Sequence, residues 1–149
     1  MQSKDAQYKK KTRDVQKCLK RAGLKLTPQR LEILNILMSD VDHPAAEEIY
    51  ERIKLKMPTI SFDTVYRTLA LFERYGVVSR VHYLDDKSRY DPNTTHHYHF
   101  VCTKCKAIKD FYWSELDELT VPAEVQQWGQ INDRYLEIRG ICQDCIKKG

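Results

Sequence analysis

Residues Thr95 to Cys105 read THHYHFVCTKC, which places three histidines and two cysteines within eleven residues. Imidazole nitrogens and thiolates both bind metal ions, but they suit different metals and different tasks. The stretch therefore holds either one mixed metal site or parts of two separate sites. The cysteines elsewhere in the chain bear on this choice.

Four of the five cysteines form two C-x-x-C pairs, Cys102 with Cys105 and Cys142 with Cys145. Each pair can offer two sulfurs from a tight turn, and two pairs complete the tetrahedral shell of a zinc ion. Four thiolates leave no open coordination position, so the pattern predicts a structural zinc rather than a redox centre. Cys18 has no partner nearby in sequence, and its place on an apolar helix face predicts a buried core thiol.

If the thiolates close their own site, the histidines need a second explanation. His97 and His99 would point to one face of a strand, because side chains alternate with a period of two. This H-x-H pair is either a two-nitrogen metal pincer or part of a polar strand with exposed imidazoles. His43, Asp91 and Asp110 are further candidate ligands. Imidazoles with carboxylates and no thiolate suit iron(II), manganese(II) or zinc.

Composition narrows the class of protein. The 149 residues are enough for one ordinary domain or two small ones. No apolar run is long enough to span a membrane and the start of the chain shows no secretory signal, so we expect a cytoplasmic protein. Residues 1–80 carry 16 Lys and Arg against 10 Asp and Glu, whereas residues 81–149 carry 9 against 11. A net charge of +6 followed by −2 indicates a polyanion-binding first half, or a solvated surface with fluctuating charge.

Four helices followed by a β-ribbon are predicted for the first half. Apolar spacing predicts a helix over Lys9–Ala22, and two further helices have Pro28 and Pro44 at their first positions. The fourth follows the N-cap Ser61 and stops at Gly76. The ribbon strands are predicted over Val77–Leu84 and Ser88–Tyr90. The predicted core positions are Val15, Cys18, Leu19, Ala22, Leu31, Leu34, Leu37, Met38, Ile49, Ile53, Val65, Leu69 and Phe72.

This order of elements is typical of a winged helix-turn-helix domain, which we predict over residues 1–90. The polar stretch DPNTT at residues 91–95 predicts a linker. Residues 96–149 are predicted to be α+β, with a helical region over Glu115–Gln127 that is interrupted or begun at Pro122. The strands of this part are predicted over Tyr98–Val101, Ala107–Tyr112 and Tyr135–Ile141.

Four stretches carry a resemblance to a known family. HPAAEEIYERI, DTVYRTLALFERYGVV, RYDPNTTHHYHFVCTKC and YLEIRGICQDC, in that order and spacing, resemble the ferric uptake regulator (Fur) family of bacterial metal-dependent repressors. The resemblance runs from about Leu24 to Cys145. It implies an α+β protein, with an N-terminal winged-helix DNA-binding domain and a C-terminal α/β dimerisation domain. It also implies a homodimer on a palindromic double-stranded DNA operator, with a regulatory metal between the domains and no enzymatic activity.

Within that family the pattern is most similar to the peroxide-repressor (PerR) subfamily, which uses three histidines and two aspartates. Iron-sensing members usually have glutamate where Asp91 and Asp110 stand. Arg67 departs from the familiar peroxide repressors, which have asparagine there. A further metal site of some members needs a carboxylate and a histidine where Tyr98 and Arg134 stand, so we expect none here. The regulatory iron or manganese site implied by the resemblance consists of His43, Asp91, His97, His99 and Asp110.

A metal that joins ligands of both domains would fix the angle between them, and with it the spacing of two recognition helices in a dimer. By resemblance, peroxide reacts with the iron(II) form and oxygen is added to His97 or His43, whereas the manganese(II) form does not react. Peroxide is the only small molecule expected to act on the chain. The DNA-reading helix is predicted over Ser61–Tyr75. Its contacts would be Thr64, Tyr66 and Arg67 on bases, with Lys9, Lys10, Lys11 and Arg13 near phosphates.

Three other functions compete with this hypothesis. An iron- or zinc-responsive repressor would use the same fold without peroxide sensing. A zinc enzyme is a second alternative, since a metal held by H-x-H and carboxylates can activate water. It is less favoured because the sequence lacks the H-x-E and P-C-x-x-C pattern of zinc deaminases. A zinc-ribbon interaction module without a DNA role conflicts with the predicted four helices and wing.

Overall fold

The computed structural model describes residues 14–40, 43–82 and 87–149. The chain forms two compact units, Met1–Thr94 and Thr95–Gly149, and the division falls inside the stretch predicted as a linker. The first unit is helical with a small ribbon, and the second has a three-stranded sheet with short helices, which confirms the α+β class. Among the described residues, we find no helix with the length and apolar content needed to cross a membrane.

The described residues of the first unit form four helices and a two-stranded ribbon. The described part of helix α1 covers residues 14–21, and its predicted start at Lys9 lies outside the described residues, as does the predicted strand end at Leu84. The ribbon is antiparallel and brings Ser79 opposite Asp91. The elements that follow α1 are α2 Pro28–Ser39, α3 Ala46–Lys56, α4 Phe62–Arg74, β1 Ser79–His82 and β2 Ser88–Asp91.

Local hydrogen bonds determine where the helices begin. Ser61 Oγ accepts from the Thr64 N–H group at 3.1 Å, which confirms Ser61 as the N-cap of α4. Helix α3 begins two residues later than predicted, and Pro44 lies before it rather than at its first position. The reason is that the Glu48 carboxylate accepts from the Ala45 N–H group at 3.0 Å, so Ala45 occupies the N-cap position.

The core of the first unit lies between the helices and the ribbon. The predicted inner face of α2 is partly wrong, because Ile33 is fully buried whereas Met38 is 38% exposed. Cys18 is half-buried against this core rather than fully buried as predicted, and burial raises the pKa of its thiol. Predicted core positions that are fully enclosed are Val15, Leu19, Leu34, Leu37, Ile49, Ile53, Val65, Leu69 and Phe72.

The second unit is built on a sheet with the strand order β4-β3-β5, in which β3 is antiparallel to β4 and parallel to β5. The register places His99 opposite Asp110 on β4 and opposite Glu137 on β5. The predicted helical region is interrupted, and its second helix begins just after Pro122. A proline inside a helix lacks the N–H group of a backbone hydrogen bond, and its ring collides with the preceding turn. The elements are β3 Tyr98–Cys102, β4 Ile108–Phe111, α5 Ser114–Asp117, α6 Ala123–Trp128, β5 Glu137–Gly140 and α7 Gln143–Lys147.

Candidate metal centres and nucleic-acid interface

The two C-x-x-C turns lie at the same edge of the sheet. Cys102 is the last residue of β3, and Cys142 is the N-cap of α7, just after β5. Because β3 and β5 are parallel neighbours, their carboxyl ends lie side by side. The Thr103 N–H group donates to the Gly140 carbonyl oxygen at 2.8 Å, which ties the two turns together. Parallel pairing thus brings together cysteines that are far apart in sequence.

The four sulfurs have the spacing of a tetrahedral zinc shell. The Sγ atoms of Cys102 and Cys145 are 3.9 Å apart, and those of Cys105 and Cys142 are 3.7 Å apart. All four lie within 4.8 Å of one another. Four sulfurs at 2.3 Å from one zinc ion are separated by about 3.8 Å. The cluster therefore fits a closed zinc site, as predicted for a structural ion.

Hydrogen bonding already distinguishes the thiols. The backbone N–H groups of Cys105 and Cys142 each donate to Cys102 Sγ at 3.4 Å, and they lower the pKa of Cys102 to about 6. Contact with the thiol of Cys142 and then burial raise the pKa of Cys145 to about 12. One sulfur is thus readily ionised, whereas another holds its proton until a cation displaces it.

In the first unit, His43 and Asp91 form a buried pair. The Nε2 atom of His43 lies 2.9 Å from Asp91 Oδ2, and the two residues are 3% and 2% exposed. His43 has a φ angle of +54°, in the left-handed region that histidine visits more often than most residues. The Tyr90 N–H group donates to the Pro44 carbonyl oxygen at 3.2 Å and so holds the His43 segment against β2. Asp91 is the last residue of β2.

In the second unit, two histidines converge on one carboxylate. The rings of His97 and His99 lie 4.6 Å apart between centroids, on one face as their spacing predicts. The Nε2 atom of His99 lies 3.3 Å from Asp110 Oδ1, and that of His97 lies 3.8 Å from Oδ2. Donors bound to one ion at roughly 2.1 Å are about 3.0–3.4 Å apart. The His43–Asp91 and His99–Asp110 distances are close to this range, whereas the His97–Asp110 distance is longer. The nitrogen and oxygen donors within each cluster suit iron(II), manganese(II) or zinc.

The other ring nitrogens of these histidines contact groups that sequence reasoning missed. The Nδ1 atom of His97 lies 2.6 Å from the Thr95 carbonyl oxygen, so it donates there and Nε2 is left with a lone pair. The Nδ1 atom of His99 lies 3.3 Å from the Tyr135 phenol oxygen. Tyr135 is 36 residues away in sequence, and no spacing rule connects it with His99.

The opposite face of β3 is filled by a hydrogen-bonded cluster. Tyr98 is 1% exposed and donates to Asp117, while His96 Nε2 lies 3.1 Å from the Tyr98 phenol oxygen. Arg134 donates to the Asp117 and Leu119 carbonyl oxygens. The phenol of Tyr98 and the guanidinium of Arg134 thus both contact Asp117, and the expectation that these two residues preclude a further metal site stays a prediction.

Helix α4 presents the predicted DNA-reading side chains. Tyr66 is 45% exposed, and the side chain of Arg67 is 79% exposed. Arg67 pairs with Asp63 one turn earlier at 2.9 Å, an exposed contact that contributes little stability. Thr64 is half-buried, and its hydroxyl oxygen lies 2.9 Å from that of Ser61. The remaining predicted contacts, Lys9, Lys10, Lys11 and Arg13, lie outside the described residues.

Arg80 connects the ribbon with this helix and was not predicted. Its guanidinium donates to the Tyr66 phenol oxygen at 3.3 Å and lies 3.5 Å from a carboxylate oxygen of Glu73. Hydrogen bonds to Tyr90 and Tyr66 raise the pKa of Arg80. The ribbon therefore braces Tyr66, and no pattern in the sequence relates residues 66 and 80.

The family model described as "Ferric uptake regulator family" matches residues 21–138. The chain belongs to this family. The Peroxide-responsive repressor PerR of Staphylococcus epidermidis is 40% identical to this Fur-family chain over 131 residues, which cover 88% of this chain and 87% of the relative. The resemblance read from the sequence is confirmed, and the chain is a metal-responsive regulator rather than an enzyme.

Solved structures agree with this Fur-family membership. The Campylobacter jejuni peroxide stress regulator is 32% identical and has a TM-score of 0.67, with coverage of 89% of this chain and 97% of the other. A structure described as a zinc-bound manganese uptake regulator is also 32% identical and has a TM-score of 0.67. The match covers 86% of this chain and 98% of the regulator's chain. The N-terminal winged helix and C-terminal α/β unit of the predicted fold are thus confirmed.

Proposed function

We propose that this Fur-family chain is a homodimeric, metal-dependent DNA-binding repressor that senses hydrogen peroxide through oxidation of its own histidines. The observation that carries the proposal is the donor set, in which buried imidazoles face carboxylates and thiolates are kept in a separate cluster. Such a set binds iron(II) or manganese(II), while the sulfurs hold structural zinc. Relatives named as peroxide-responsive repressors support the same conclusion.

The proposed regulatory site joins ligands of both units. His43 and Asp91 would come from the first unit, and His97, His99 and Asp110 from the second. One ion bound by both groups fixes the angle between the units, and in a dimer this angle sets the distance between two α4 helices. Successive major-groove faces of DNA are about 34–36 Å apart, so only one arrangement fits a palindromic operator. Loss of a single ligand would release that constraint.

Bound iron(II) would supply the electrons that reduce peroxide, which manganese(II) does not readily do. By resemblance to the peroxide repressors, the ring that gains oxygen would be that of His97 or His43, two of the three proposed histidine ligands. The side chains of His43 and His97 are 4% and 6% exposed, so little of either ring faces bulk solvent. The chain would then record peroxide as damage to its own ligands.

The exposed apolar side chains of the second unit support a homodimer. Soluble monomers rarely expose many large apolar groups on one small unit. Strands β4 and β5 are also the outer strands of their sheet among the described residues, which leaves edges for pairing. The exposed large apolar residues of this unit are Tyr112, Trp113, Leu119, Trp128, Ile131, Tyr135, Ile138, Ile141 and Ile146.

The test is metal-dependent DNA binding before and after peroxide. Zinc-loaded protein should bind operator DNA in an electrophoretic shift only after iron(II) or manganese(II) is added. Peroxide should then abolish binding by the iron form alone, and a thiol reductant should not restore it. Equal responses of both forms would instead favour an iron- or manganese-responsive repressor with the same five ligands, which is the alternative that Arg67 suggests.

A further inference from the structure

Arg80 contacts two residues of helix α4 that lie two turns apart. Its guanidinium donates to the Tyr66 phenol oxygen at 3.3 Å, and its Nε atom lies 3.5 Å from Glu73 Oε2. Residues seven positions apart share one face of a helix. The Arg80 side chain therefore lies along the face of α4 that carries Tyr66.

The ribbon holds the Arg80 side chain in this position. Arg80 is the register partner of Tyr90 across β1 and β2, and its guanidinium carbon lies 5.9 Å from the centre of the Tyr90 ring. Tyr90 is 1% exposed, and an aromatic ring attracts a cation at this distance. The side chain of Arg80 is only 26% exposed. Its guanidinium is thus restrained by a buried ring on one side and by Glu73 on another.

The contact with Arg80 restricts the direction in which the Tyr66 hydroxyl can donate. A guanidinium carries five N–H donors and no acceptor, whereas a phenol oxygen can both accept and donate. Tyr66 therefore accepts from Arg80, and its own hydrogen is directed away from Arg80. Tyr66 is 45% exposed, and its ring lies 6.4 Å from that of Phe62 one turn earlier. The ring is thus supported as well as the oxygen.

We propose that Arg80 and Glu73 are positioning residues that present Tyr66 to DNA as a hydrogen-bond donor, so that Tyr66 favours a base edge with an acceptor. In the major groove, the purine N7 atoms and thymine O4 accept hydrogen bonds, whereas cytosine offers only its N4 amino donor. A phenol restricted to donating would discriminate against cytosine at the position that it reads. The proposal rests on the proposed function, because it requires that α4 reads operator DNA.

Binding to single-base variants of one operator tests the proposal. The operator is selected in vitro with the manganese(II) form of the wild type, and fluorescence anisotropy compares all four bases at each position. Tyr66→Phe should lower discrimination against cytosine at one position by about 3–10-fold, the range typical of one hydrogen bond. Arg80→Ala should lower it at the same position, because the released phenol can turn and accept from cytosine N4.

Two variants of the same helix are matched controls. Tyr75→Phe changes a half-exposed tyrosine at the C-cap of α4, and Arg74→Ala removes a positive charge from its last turn. Both should keep the base preference of the wild type. A similar loss of discrimination in Arg74→Ala would show a general charge effect and would overturn the role of Arg80.

Glu73→Gln separates positioning from charge. The change removes a negative charge, so electrostatic attraction alone would tighten binding to every DNA sequence equally. Release of Arg80 should in addition reduce discrimination at the position read by Tyr66, and an unchanged base preference would contradict the role of Glu73. In the Tyr66→Phe background, Arg80→Ala should cause no further loss of discrimination. A full additional loss would mean that Arg80 reads DNA itself, and the positioning role would be wrong.

A measurement without DNA checks the contact itself. Nitrogen NMR of the arginine side chains in zinc-loaded protein, assigned with Arg80→Ala, should show slow rotation of the Arg80 guanidinium in the wild type. Rotation should be faster in Tyr66→Phe and in Glu73→Gln, while their thermal unfolding and zinc content stay at wild-type values. Equal rotation in all three proteins would overturn the proposal.

The outcomes distinguish failure of this proposal from failure of the proposed function. If the manganese(II) form selects no operator, the proposed function is wrong, whatever Arg80 contacts. If Tyr66→Phe loses discrimination while Arg80→Ala and Glu73→Gln keep it, Tyr66 reads DNA and the positioning role is wrong. A loss in Tyr66→Phe that is equal for all bases would place the phenol on a phosphate and overturn the specificity role.

Discussion

The sulfurs of Cys105 and Cys142 lie 3.7 Å apart although 37 residues separate them in sequence. This contact joins the turn after β3 to the turn after β5. The separation of the two sulfurs is the one expected of two thiolate ligands of a single zinc ion. Since the second unit has few enclosed apolar side chains, a zinc ion bound by these four cysteines would be a major constraint on the position of its last strand.

Cys142→Ser should therefore remove the structural zinc. A serine hydroxyl is a poor zinc ligand, and structural zinc sites contribute roughly 10–16 kcal/mol in small domains. We expect protein with little bound zinc that elutes as a monomer or aggregate in size-exclusion chromatography. Cys18→Ser is the matched control, because Cys18 packs against the core of the first unit and is not one of these four cysteines. A dimeric Cys142→Ser protein with full zinc content would rule out the four-cysteine assignment.

Asp110→Asn should weaken the regulatory site without affecting zinc. The substitution keeps the size of the side chain but removes the negative charge that faces His97 and His99. We expect manganese(II) affinity to fall by about tenfold or more, together with metal-dependent DNA binding. Calorimetric titration measures the first effect and elemental analysis checks zinc. Asp133→Asn, an exposed acid of the same unit, should behave as wild type, and a similar loss in that variant would indicate a general charge effect.

Arg67→Ala should weaken DNA binding while metal binding stays intact. Its guanidinium is exposed on α4, and each bidentate contact to guanine typically contributes about 1–3 kcal/mol. Fluorescence anisotropy with operator and scrambled DNA should show reduced discrimination between them. Lys148→Ala removes the same charge from the second unit and serves as control. If Arg67→Ala binds normally while loss of Lys9, Lys10 and Lys11 abolishes binding, α4 is not the reading helix.

Peroxide should modify the iron(II) protein at defined rings. After a micromolar-scale dose, peptide mass analysis should find one added oxygen on His97 or His43, and DNA binding should be lost. The manganese(II) protein should keep both its mass and its DNA binding. His82, outside the proposed ligand set, is the internal control. Oxidised cysteines with intact histidines would place the sensor at the thiolates instead.

The sequence alone was sufficient for the local features of this protein. Helix starts such as Ser61 depend on bonds to residues three positions away, and the shared face of His97 and His99 follows from the two-residue period of a strand. Two C-x-x-C pairs predict a closed zinc shell because tetrahedral coordination by four sulfurs needs little else. The start of α3 was predicted at Pro44, because proline is common at the first position of a helix. The helix begins at Ala46 instead, because the Glu48 carboxylate accepts from the Ala45 N–H group and makes Ala45 the N-cap.

Only the tertiary structure decided which distant groups meet. The contact of Tyr135 with His99 depends on the parallel register of β3 and β5, and the contact of Arg80 with Tyr66 depends on how the ribbon packs beside α4. The inner face of α2 likewise follows from its neighbours, which enclose Ile33 and leave Met38 at the surface. Such contacts join residues from different elements, so their positions are set by strand pairing and core packing rather than by the spacing of residues along the chain.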